Sequence, residues 1–135
     1  MAKIDAVKLW SLNYQLLMST IASVAPAVAE LGVEVKELFV LAAIDEHPHP
    51  AALASALLMP KPTITVNLKR FEAAGLVRRE IDPGDLRRHR LELTPAGRRV
   101  ATRGMALLSD AFGERLSRLS TTEQRDFEKI LETMG

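Results

Sequence analysis

Apolar residues at the start of the chain recur at alternating steps of three and four, the spacing of one helix face. This seam predicts a helix over residues 4–31. A second apolar stripe beside it predicts packing on two neighbours, the rest of the domain and a partner subunit. Pro26 should kink or divide the helix near Ala25, and Gly32 should cap its end. The seam comprises Val7, Trp10, Tyr14, Leu17, Ile21, Val24, Val28 and Leu31.

Three shorter helical segments follow, separated by prolines or ended by glycine. Apolar residues at helical spacing predict helices over residues 34–44, 51–58 and 62–74. In the last of these, Ile64, Leu68 and Phe71 should be buried in the core. The prolines on either side of the middle segment prevent these helices from merging. Two short helices joined by a tight turn predict a helix-turn-helix motif.

A β-hairpin is predicted next. Gly75 should end the preceding helix in a left-handed conformation. Residues 76–81 and 88–93 alternate apolar and charged side chains, as antiparallel strands with one solvent-facing side do. Between them, Pro83-Gly84 favours a type II turn, inside a loop of about six residues that should project as a wing.

Two helices are predicted after the hairpin. Thr94 and Pro95 suit the cap and first position of a helix that reaches about residue 119. Ser120 and Glu123 have the spacing of a capping box, which predicts a final helix. The predicted fold is therefore mainly α with a small β-hairpin.

The length of 135 residues fits a single domain, residues 1–135. Within it, residues 34–94 should form a winged helix-turn-helix part. The flanking helices, residues 1–31 and 95–135, are then available to build a dimer.

Composition excludes several classes of protein. A hydrophobic content of 47% with 26% charged residues argues against disorder, and the absence of cysteine excludes disulfides and thiolate metal sites. No apolar run approaches the about 18 residues that a membrane span needs, and the N-terminus lacks a signal-peptide core. We therefore expect a cytoplasmic protein.

Catalytic and metal-binding patterns are weak. The three histidines lie beside no recognisable serine nucleophile motif, and no glycine-rich phosphate loop is present, so we expect neither an enzyme nor a cofactor. His47 and His49, close to Asp45 and Glu46, would permit a metal site. The neighbouring prolines explain this segment without one, and no metal is predicted.

Charge is unevenly distributed along the chain, although the net charge is only +1. Residues 61–103 contain eleven Lys and Arg against five Asp and Glu, a balance of +6, whereas the remainder carries −5. A basic middle between acidic flanks predicts an element that binds a polyanion such as DNA. Chance clustering on a solvated face is the alternative.

Three segments together resemble the MarR family of winged-helix transcriptional regulators. They are Gly75-Leu76-Val77-Arg78-Arg79, Asp82-Pro83-Gly84-Asp85-Leu86-Arg87 and Leu93-Thr94-Pro95-Ala96-Gly97-Arg98. The order of predicted elements extends the resemblance over nearly the whole chain. It implies a homodimer on a palindromic operator, and often a small-molecule effector that changes DNA affinity. We therefore expect a sequence-specific DNA-binding transcriptional regulator, with repression favoured over activation.

The chain departs from the family pattern at three places. Leu58-Met59 occupies a turn where the family often has glycine, so the geometry between the two short helices can differ. Val66 and Leu86 stand where many members carry a polar or basic residue. Each departure removes a possible DNA contact, which predicts weaker binding or a different operator.

The helix predicted over residues 62–74 is the candidate recognition helix. Asn67 can pair bidentately with adenine, and Val66 can contact a thymine methyl group or be partly buried. Arg70 can reach a phosphate or pair with Glu72 or Glu80. A merely solvated face is the alternative for the polar residues. The predicted outward-facing set is Lys61, Thr63, Thr65, Asn67 and Lys69.

In the wing, Arg87 is the favoured DNA contact, directed to a minor groove or a phosphate and braced by Asp85. Because side chains alternate along a strand, Arg88 and Arg90 should share the opposite face from Arg87 and Leu91. Arg88 and Arg90 are therefore expected to contact phosphates or to remain solvated.

Other functions stay open at this point. Trp10 and Tyr14 can line an effector pocket between the dimer helices and the DNA-binding part, although packing in the core or dimer is favoured. Instead of a regulator, the chain can be a winged-helix module for protein–protein binding. It can also be a DNA-packaging protein without sequence preference.

Overall fold

The computed structural model describes residues 3–135, apart from the side chains of residues 86–88. Over this range the chain forms six helices and one antiparallel hairpin, which confirms the predicted fold class. The elements are α1 (Ala6–Glu30), α2 (Val35–Ala42), α3 (Pro50–Leu57), α4 (Lys61–Ala73), β1 (Val77–Asp82), β2 (Asp85–Leu93), α5 (Pro95–Leu116) and α6 (Thr121–Met134).

Helix α1 runs through Pro26 without a break, so the predicted division near Ala25 is wrong. A proline removes one helical hydrogen bond, but Val24 and Val28 on either side of it are buried in the core. Their packing stabilises the helix on both sides of Pro26. The predicted cap at Gly32 is confirmed by its φ of +90°.

The core lies around α2, which contacts α1, α3, α4 and α5. From α4 it receives Ile64, Leu68 and Phe71, at intervals of four and three residues on one helix face, which confirms their predicted burial. The hairpin adds Val77 and Leu91. The helix-turn-helix, the wing and the second half of α1 therefore share one hydrophobic core.

The first half of α1 and the whole of α6 stand outside this core. Trp10 and Tyr14 are 66% and 52% exposed, and α6 has no buried residue. An aromatic contact joins α6 to α5, where the rings of Phe112 and Phe127 lie 6.4 Å apart. Among the described residues no single helix is long and apolar enough to cross a membrane. Helices α1 and α2 together reach that length and composition, but the chain bends by 79° between them.

The hairpin turn is tighter than predicted. Strands β1 and β2 flank Pro83-Gly84 directly, so a two-residue turn replaces the expected loop. The type II prediction is also wrong, because it requires a positive φ at Gly84, which Gly84 does not have. The Asp82 carboxylate accepts a 2.9 Å hydrogen bond from the Gly84 N–H, and this local bond stabilises a different turn.

The start of α5 is tied to the base of the wing. The Thr94 hydroxyl accepts a 3.0 Å hydrogen bond from the Gly97 N–H, which confirms the predicted cap. The same hydroxyl donates to the Gly75 carbonyl at 2.6 Å, and the Thr94 N–H donates to the Leu76 carbonyl at 3.0 Å. These bonds fix the end of α4, the wing and α5 relative to one another.

Replacing Leu58 by glycine is expected to stabilise the protein by about 1 kcal/mol. Leu58 has a left-handed backbone (φ 53°, ψ 41°), which costs an L-residue about 1–2 kcal/mol, and its side chain is 92% exposed. Glycine removes that cost but gains freedom in the unfolded chain, so part of the benefit is lost. Urea unfolding measures the difference, with Leu58→Ala as the control that keeps Cβ. Equal stability of the glycine and alanine variants would contradict the argument.

Candidate nucleic-acid interface

Helix α4 presents one polar face to solvent because its opposite face is anchored in the core. The side chains of Thr63, Thr65 and Lys69 are exposed, and Asn67 is half-buried. Val66 is 65% exposed, so its predicted alternative, partial burial against the domain, is wrong. Lys61 is also exposed, at the first residue of the helix. The predicted outward-facing set is therefore accessible, with Thr63 and Asn67 on one side of Val66 and Thr65 and Lys69 on the other.

Two members of this set border a cleft beside α2. Thr63 and Asn67, one helical turn apart, line a cleft of about 610 Å³ together with Lys36 and the Gly32 end of α1. The Thr65 hydroxyl instead donates to the Lys61 carbonyl at 3.0 Å and keeps its lone pairs free to accept. Hydroxyl, amide and ammonium groups thus occur within about two helical turns, from Lys61 to Lys69, and this is the mixture that reads base edges and phosphates.

Arg70 lines the same cleft as Thr63 and Asn67, and its guanidinium is held there in an ion pair that the sequence did not reveal. Its guanidinium donates to both carboxylate oxygens of Glu37, with Nη2 2.5 Å from Oε1, and to the Gly32 carbonyl at 3.1 Å. The predicted pairing of Arg70 with Glu72 or Glu80 is wrong. Glu72 binds Arg79 instead.

Glu37 is suited to hold Arg70 because its carboxylate is almost buried, with 9% of the side chain exposed. Burial opposes ionisation and by itself raises the pKa of Glu37. The Arg70 hydrogen bonds, the 2.8 Å bond from the Glu34 N–H and the Arg70 charge outweigh it and hold this pKa below its ordinary value. We call the contacts among Glu37, Arg70 and Gly32 the α4 clamp, because they join α2, α4 and the end of α1.

Several other basic residues of the central segment are also neutralised. Arg78 pairs across the hairpin with Glu92 at 2.9 Å, and Arg98 pairs with Asp45 at 2.7 Å. Glu92 is already counted in the balance of +6, but Asp45 and Glu37 lie outside residues 61–103, so the balance overstates by two the positive charge available to a polyanion. The basic side chains of this segment that form no ion pair with a described residue are Lys61, Lys69, Arg90, Arg99 and Arg103.

The wing follows the predicted alternation where its side chains are described. Leu91 is buried in the core and Arg90 is exposed, opposite Glu80 in the register. The side chains of Arg87 and Arg88 lie outside the described residues. Their DNA contacts, and the bracing of Arg87 by Asp85, stay predictions.

The segment with His47 and His49 supports the wing, a role that the sequence did not suggest. The His49 ring nitrogen Nδ1 lies 3.2 Å from the His89 carbonyl, and the Leu91 N–H donates to the Pro48 carbonyl at 2.7 Å. No group of three or more His, Asp or Glu side chains converges on a metal-sized space within the described part of the chain. The contacts of His49 are therefore structural.

A second cavity lies between α1, α2 and α5. Its volume is about 290 Å³, and its walls include Ile21, Phe39 and Leu108. Trp10 and Tyr14 do not line it but stand in the exposed first half of α1. Their assignment to an effector site therefore stays a prediction, and the cavity residues were recognised in the sequence only as apolar helix positions.

Comparison with known proteins agrees with this geometry. The model of the MarR family matches residues 31–88. The transcriptional regulator HosA of Escherichia coli O111:H- is 36% identical over 97 residues, which cover 70% of this chain and 72% of HosA. The transcriptional repressor Rv2887 of Mycobacterium tuberculosis is 31% identical over 117 residues, 83% of this chain and 82% of Rv2887.

Crystal structures of Rv2887 are similar over nearly the whole chain. The complex with DNA has a TM-score of 0.75 at 29% identity and covers 94% of this chain and 97% of Rv2887. The complex with p-aminosalicylic acid has a TM-score of 0.74 at 28% identity and covers 94% and 98%. The similarity thus includes the terminal helices as well as the helix-turn-helix and wing.

Proposed function

The chain belongs to the MarR family of transcriptional regulators, and we propose that it regulates transcription by binding operator DNA as a homodimer. Repression is the favoured outcome, because a bound dimer occludes a promoter. The observation that carries this proposal is the anchoring of α4, whose apolar face is buried while its polar face stays accessible. The relatives HosA and Rv2887, named as regulator and repressor, support it and give no reason to expect an enzyme.

Helix α4 is proposed to enter the major groove. Asn67 is assigned to pair with adenine, and the exposed methyl groups of Val66 can contact thymine. Thr63 and Thr65 can meet bases or phosphates, and Lys61 and Lys69 supply phosphate contacts. Arg70 is assigned to the α4 clamp instead of to DNA.

The wing is proposed to contact the DNA beside the major groove. Arg87, braced by Asp85, is assigned to a minor groove or phosphate, and Arg88 and Arg90 to phosphates. The exposure of Arg90 on the solvent face of the hairpin supports its part of this assignment.

The helices of residues 1–31 and 95–135 are proposed to form the dimer. The exposed apolar residues of α1 and α6 give these helices a surface to bury in the dimer. Residues 34–94 of each subunit then form its DNA-binding part. Two α4 helices in successive major grooves need half-sites about 34 Å apart, hence a palindromic operator. A protein that binds chromosomal DNA in this way works in the cytoplasm. A small-molecule effector would act by favouring one spacing of the two DNA-binding parts in the dimer.

Binding to DNA from the region flanking its own gene is expected to exceed binding to bulk DNA by at least ~10³-fold. Binding through several phosphates should also weaken steeply as salt rises. Fluorescence anisotropy with labelled DNA at several salt concentrations measures both. Absence of DNA binding, or a flat salt response, would favour a winged-helix module for protein–protein contacts. Equal affinity for all DNA would favour a DNA-packaging protein.

Asn67→Ala is expected to change which bases are preferred, with a loss of about 1–3 kcal/mol confined to one base pair of each half-site. Lys69→Ala, two residues along α4, is the control, because loss of a phosphate contact weakens all sequences alike and reduces the salt slope by about 1. Selection of bound fragments from a randomised operator separates the two patterns. A uniform loss in the Asn67 variant would reduce its role to a backbone contact.

A further inference from the structure

One histidine side chain joins the helix-turn-helix to both strands of the wing. His49 is the N-cap residue of α3; its ring nitrogen Nδ1 lies 3.2 Å from the His89 carbonyl of β2, and Nε2 lies 4.0 Å from Oδ2 of Asp82 at the end of β1. The other oxygen of Asp82 accepts the Gly84 N–H in the turn. The side chains of His49 and Asp82 are only 14% and 24% exposed, so water screens their contact incompletely. We call these two contacts of the His49 ring the wing link.

The protonation state of the ring decides whether both contacts of the wing link form at once. A carbonyl oxygen only accepts, so Nδ1 must carry a hydrogen to bond His89. In the neutral ring Nε2 then has a lone pair, which faces the Asp82 carboxylate and cannot donate to it. The imidazolium has an N–H on both nitrogens and can donate to the carbonyl and the carboxylate together. Only the protonated ring therefore completes the wing link.

We propose that His49 is a positioning residue whose protonation fastens the wing to the start of α3, so that mild acidification strengthens DNA binding. A wing that is already held in place loses less conformational freedom when DNA binds. The Asp82 carboxylate, once paired, also repels phosphates less. The effect on DNA rests on the DNA-binding function proposed above, whereas the fastening of the wing does not.

Charged groups reach this corner from the hairpin and from the loop before α3, whereas α3 itself carries none. Carboxylates and arginine keep their charge between pH 6 and 8, so the histidines are the groups here whose charge changes. Asp45 on the loop and Arg98 of α5 pair with each other. The other charged or titratable groups are Asp82 of β1, Asp85, His89 and Arg90 of β2, and Glu46 and His47 of the loop.

The expected effect of the wing link is about 3-fold per subunit, because two opposing contributions act on the imidazolium. The Asp82 carboxylate favours the positive charge. The start of α3 disfavours it, since a helix N-terminus carries a partial positive charge. A dimer with two wings would combine two such effects into a change of about 10-fold in DNA affinity.

Hydrogen exchange of the Leu91 amide measures the wing link without DNA. This N–H donates to the Pro48 carbonyl at 2.7 Å, beside His49, so it exchanges only when the wing leaves the loop. In the full-length protein its protection factor, corrected for intrinsic exchange, should be about 3-fold higher at pH 6 than at pH 8. His49→Gln cannot gain a proton and should show the low value at both pH values. Equal protection of the parent at both pH values, or a rise that survives in His49→Gln, would overturn the proposal.

Asp82→Asn gives the opposite result if the proton acts through this contact. Its amide oxygen can still accept the Gly84 N–H, and its NH₂ group can donate to the lone pair of the neutral His49 ring. Protection of Leu91 should then be high at both pH values. The control is His89→Gln, which removes an exposed ring but keeps the carbonyl that His49 binds, and should keep the pH dependence of the parent. A pH dependence that is unchanged in Asp82→Asn, or lost in His89→Gln, would contradict the assignment.

DNA affinity at constant salt is then measured for the same four proteins with labelled DNA from the region flanking the gene. The parent and His89→Gln should bind about 10-fold more tightly at pH 6 than at pH 8. Neither His49→Gln nor Asp82→Asn should show this change, and Asp82→Asn should bind the more tightly of the two at pH 8. Failure of the regulator proposal would appear as no operator preference at any pH with the Leu91 results intact. Failure of the wing link would appear in the Leu91 protection with operator binding intact.

Discussion

Gly97→Ala is expected to destabilise the folded protein by about 3 kcal/mol, because an added methyl group there meets backbone atoms. A Cβ on Gly97 would lie 1.9 Å from the carbonyl oxygen of Leu76 and 2.9 Å from its carbonyl carbon. That carbonyl also accepts the Thr94 N–H, so it cannot rotate away without losing a hydrogen bond at the base of the wing. The start of α5 and the wing must separate instead.

The matched control for this substitution is Gly113→Ala in the same helix. Apart from its chain neighbours and the backbone of its own helix, a Cβ at Gly113 has no atom within 4 Å, so alanine should stabilise α5 by up to about 1 kcal/mol through its higher helix propensity. If Gly97 lies as close to Leu76 as the structure shows, urea unfolding should give changes in the free energy of unfolding of opposite sign for the two variants. A Gly97→Ala protein as stable as the Gly113→Ala protein would show that α5 does not approach the wing this closely.

The sequence predicted those features that depend on neighbouring residues. The caps at Thr94 and Ser120 were recognised from three-residue spacings, and the structure confirms both, because capping bonds involve only the adjacent turn. The burial of Leu68 and Phe71 followed from helical periodicity in the same way. Gly97 was recognised as part of a motif. Glycine is needed there because the carbonyl of Leu76 lies so close, and only the folded structure shows that contact.

Features set by distant residues were not predictable in this way. Arg70 and Glu37 are 33 residues apart, and Arg98 and Asp45 are 53 apart, so nothing in their local sequence marks them as partners. The local sequence does not distinguish Arg70 from the other basic residues of a DNA-binding helix. Arg70 and Arg98 are neutralised by acids outside the basic segment, so the charge counted along that segment exceeds the charge available at the surface.

Pro26 shows a local rule overridden by packing. Proline breaks isolated helices, but α1 gains more from burying Val24 and Val28 than it loses in one hydrogen bond. Leu58 shows the reverse, a residue left in an unfavourable left-handed turn with its side chain in solvent. Turn geometry between α3 and α4 is set by the burial of the two helices, which outweighs the preference of a single residue.

Arg70→Met is expected to destabilise the protein by about 2 kcal/mol at neutral pH, because it leaves the Glu37 carboxylate nearly buried without its cation. This cost is smaller than that of breaking a fully buried pair, because 49% of the Arg70 side chain is exposed. Glu37→Gln should cost less, because the Arg70 guanidinium can rehydrate and the glutamine can still accept the Glu34 N–H. Arg70→Met combined with Glu37→Met should recover most of the loss. Urea unfolding of the four proteins gives this order, and equal costs for the two single variants would contradict it.

The pH dependence of the same variants follows from the lowered pKa of Glu37 in the folded protein. A carboxyl whose pKa is lowered by folding stabilises the protein fully above its ordinary pKa, and that contribution is lost as pH falls through the lowered value. In Arg70→Met, burial still raises the pKa of Glu37, but the guanidinium that lowers this pKa is gone. The stability gap between the parent protein and this variant should therefore narrow on acidification. A gap that stays constant from neutral pH into the acid range would show that Glu37 does not depend on Arg70 for its ionisation.

DNA binding separates the α4 clamp from a direct phosphate contact by Arg70. A phosphate contact would make Arg70→Met reduce the salt slope by about 1, as expected for Lys69→Ala. If the α4 clamp only positions α4, Arg70→Met leaves the number of contacted phosphates unchanged. DNA affinity should then fall while the salt slope stays the same. Glu37→Gln then weakens operator binding as well, although a carboxylate cannot bind a phosphate. A reduced salt slope in Arg70→Met together with normal DNA affinity in Glu37→Gln would show that Arg70 contacts a phosphate directly.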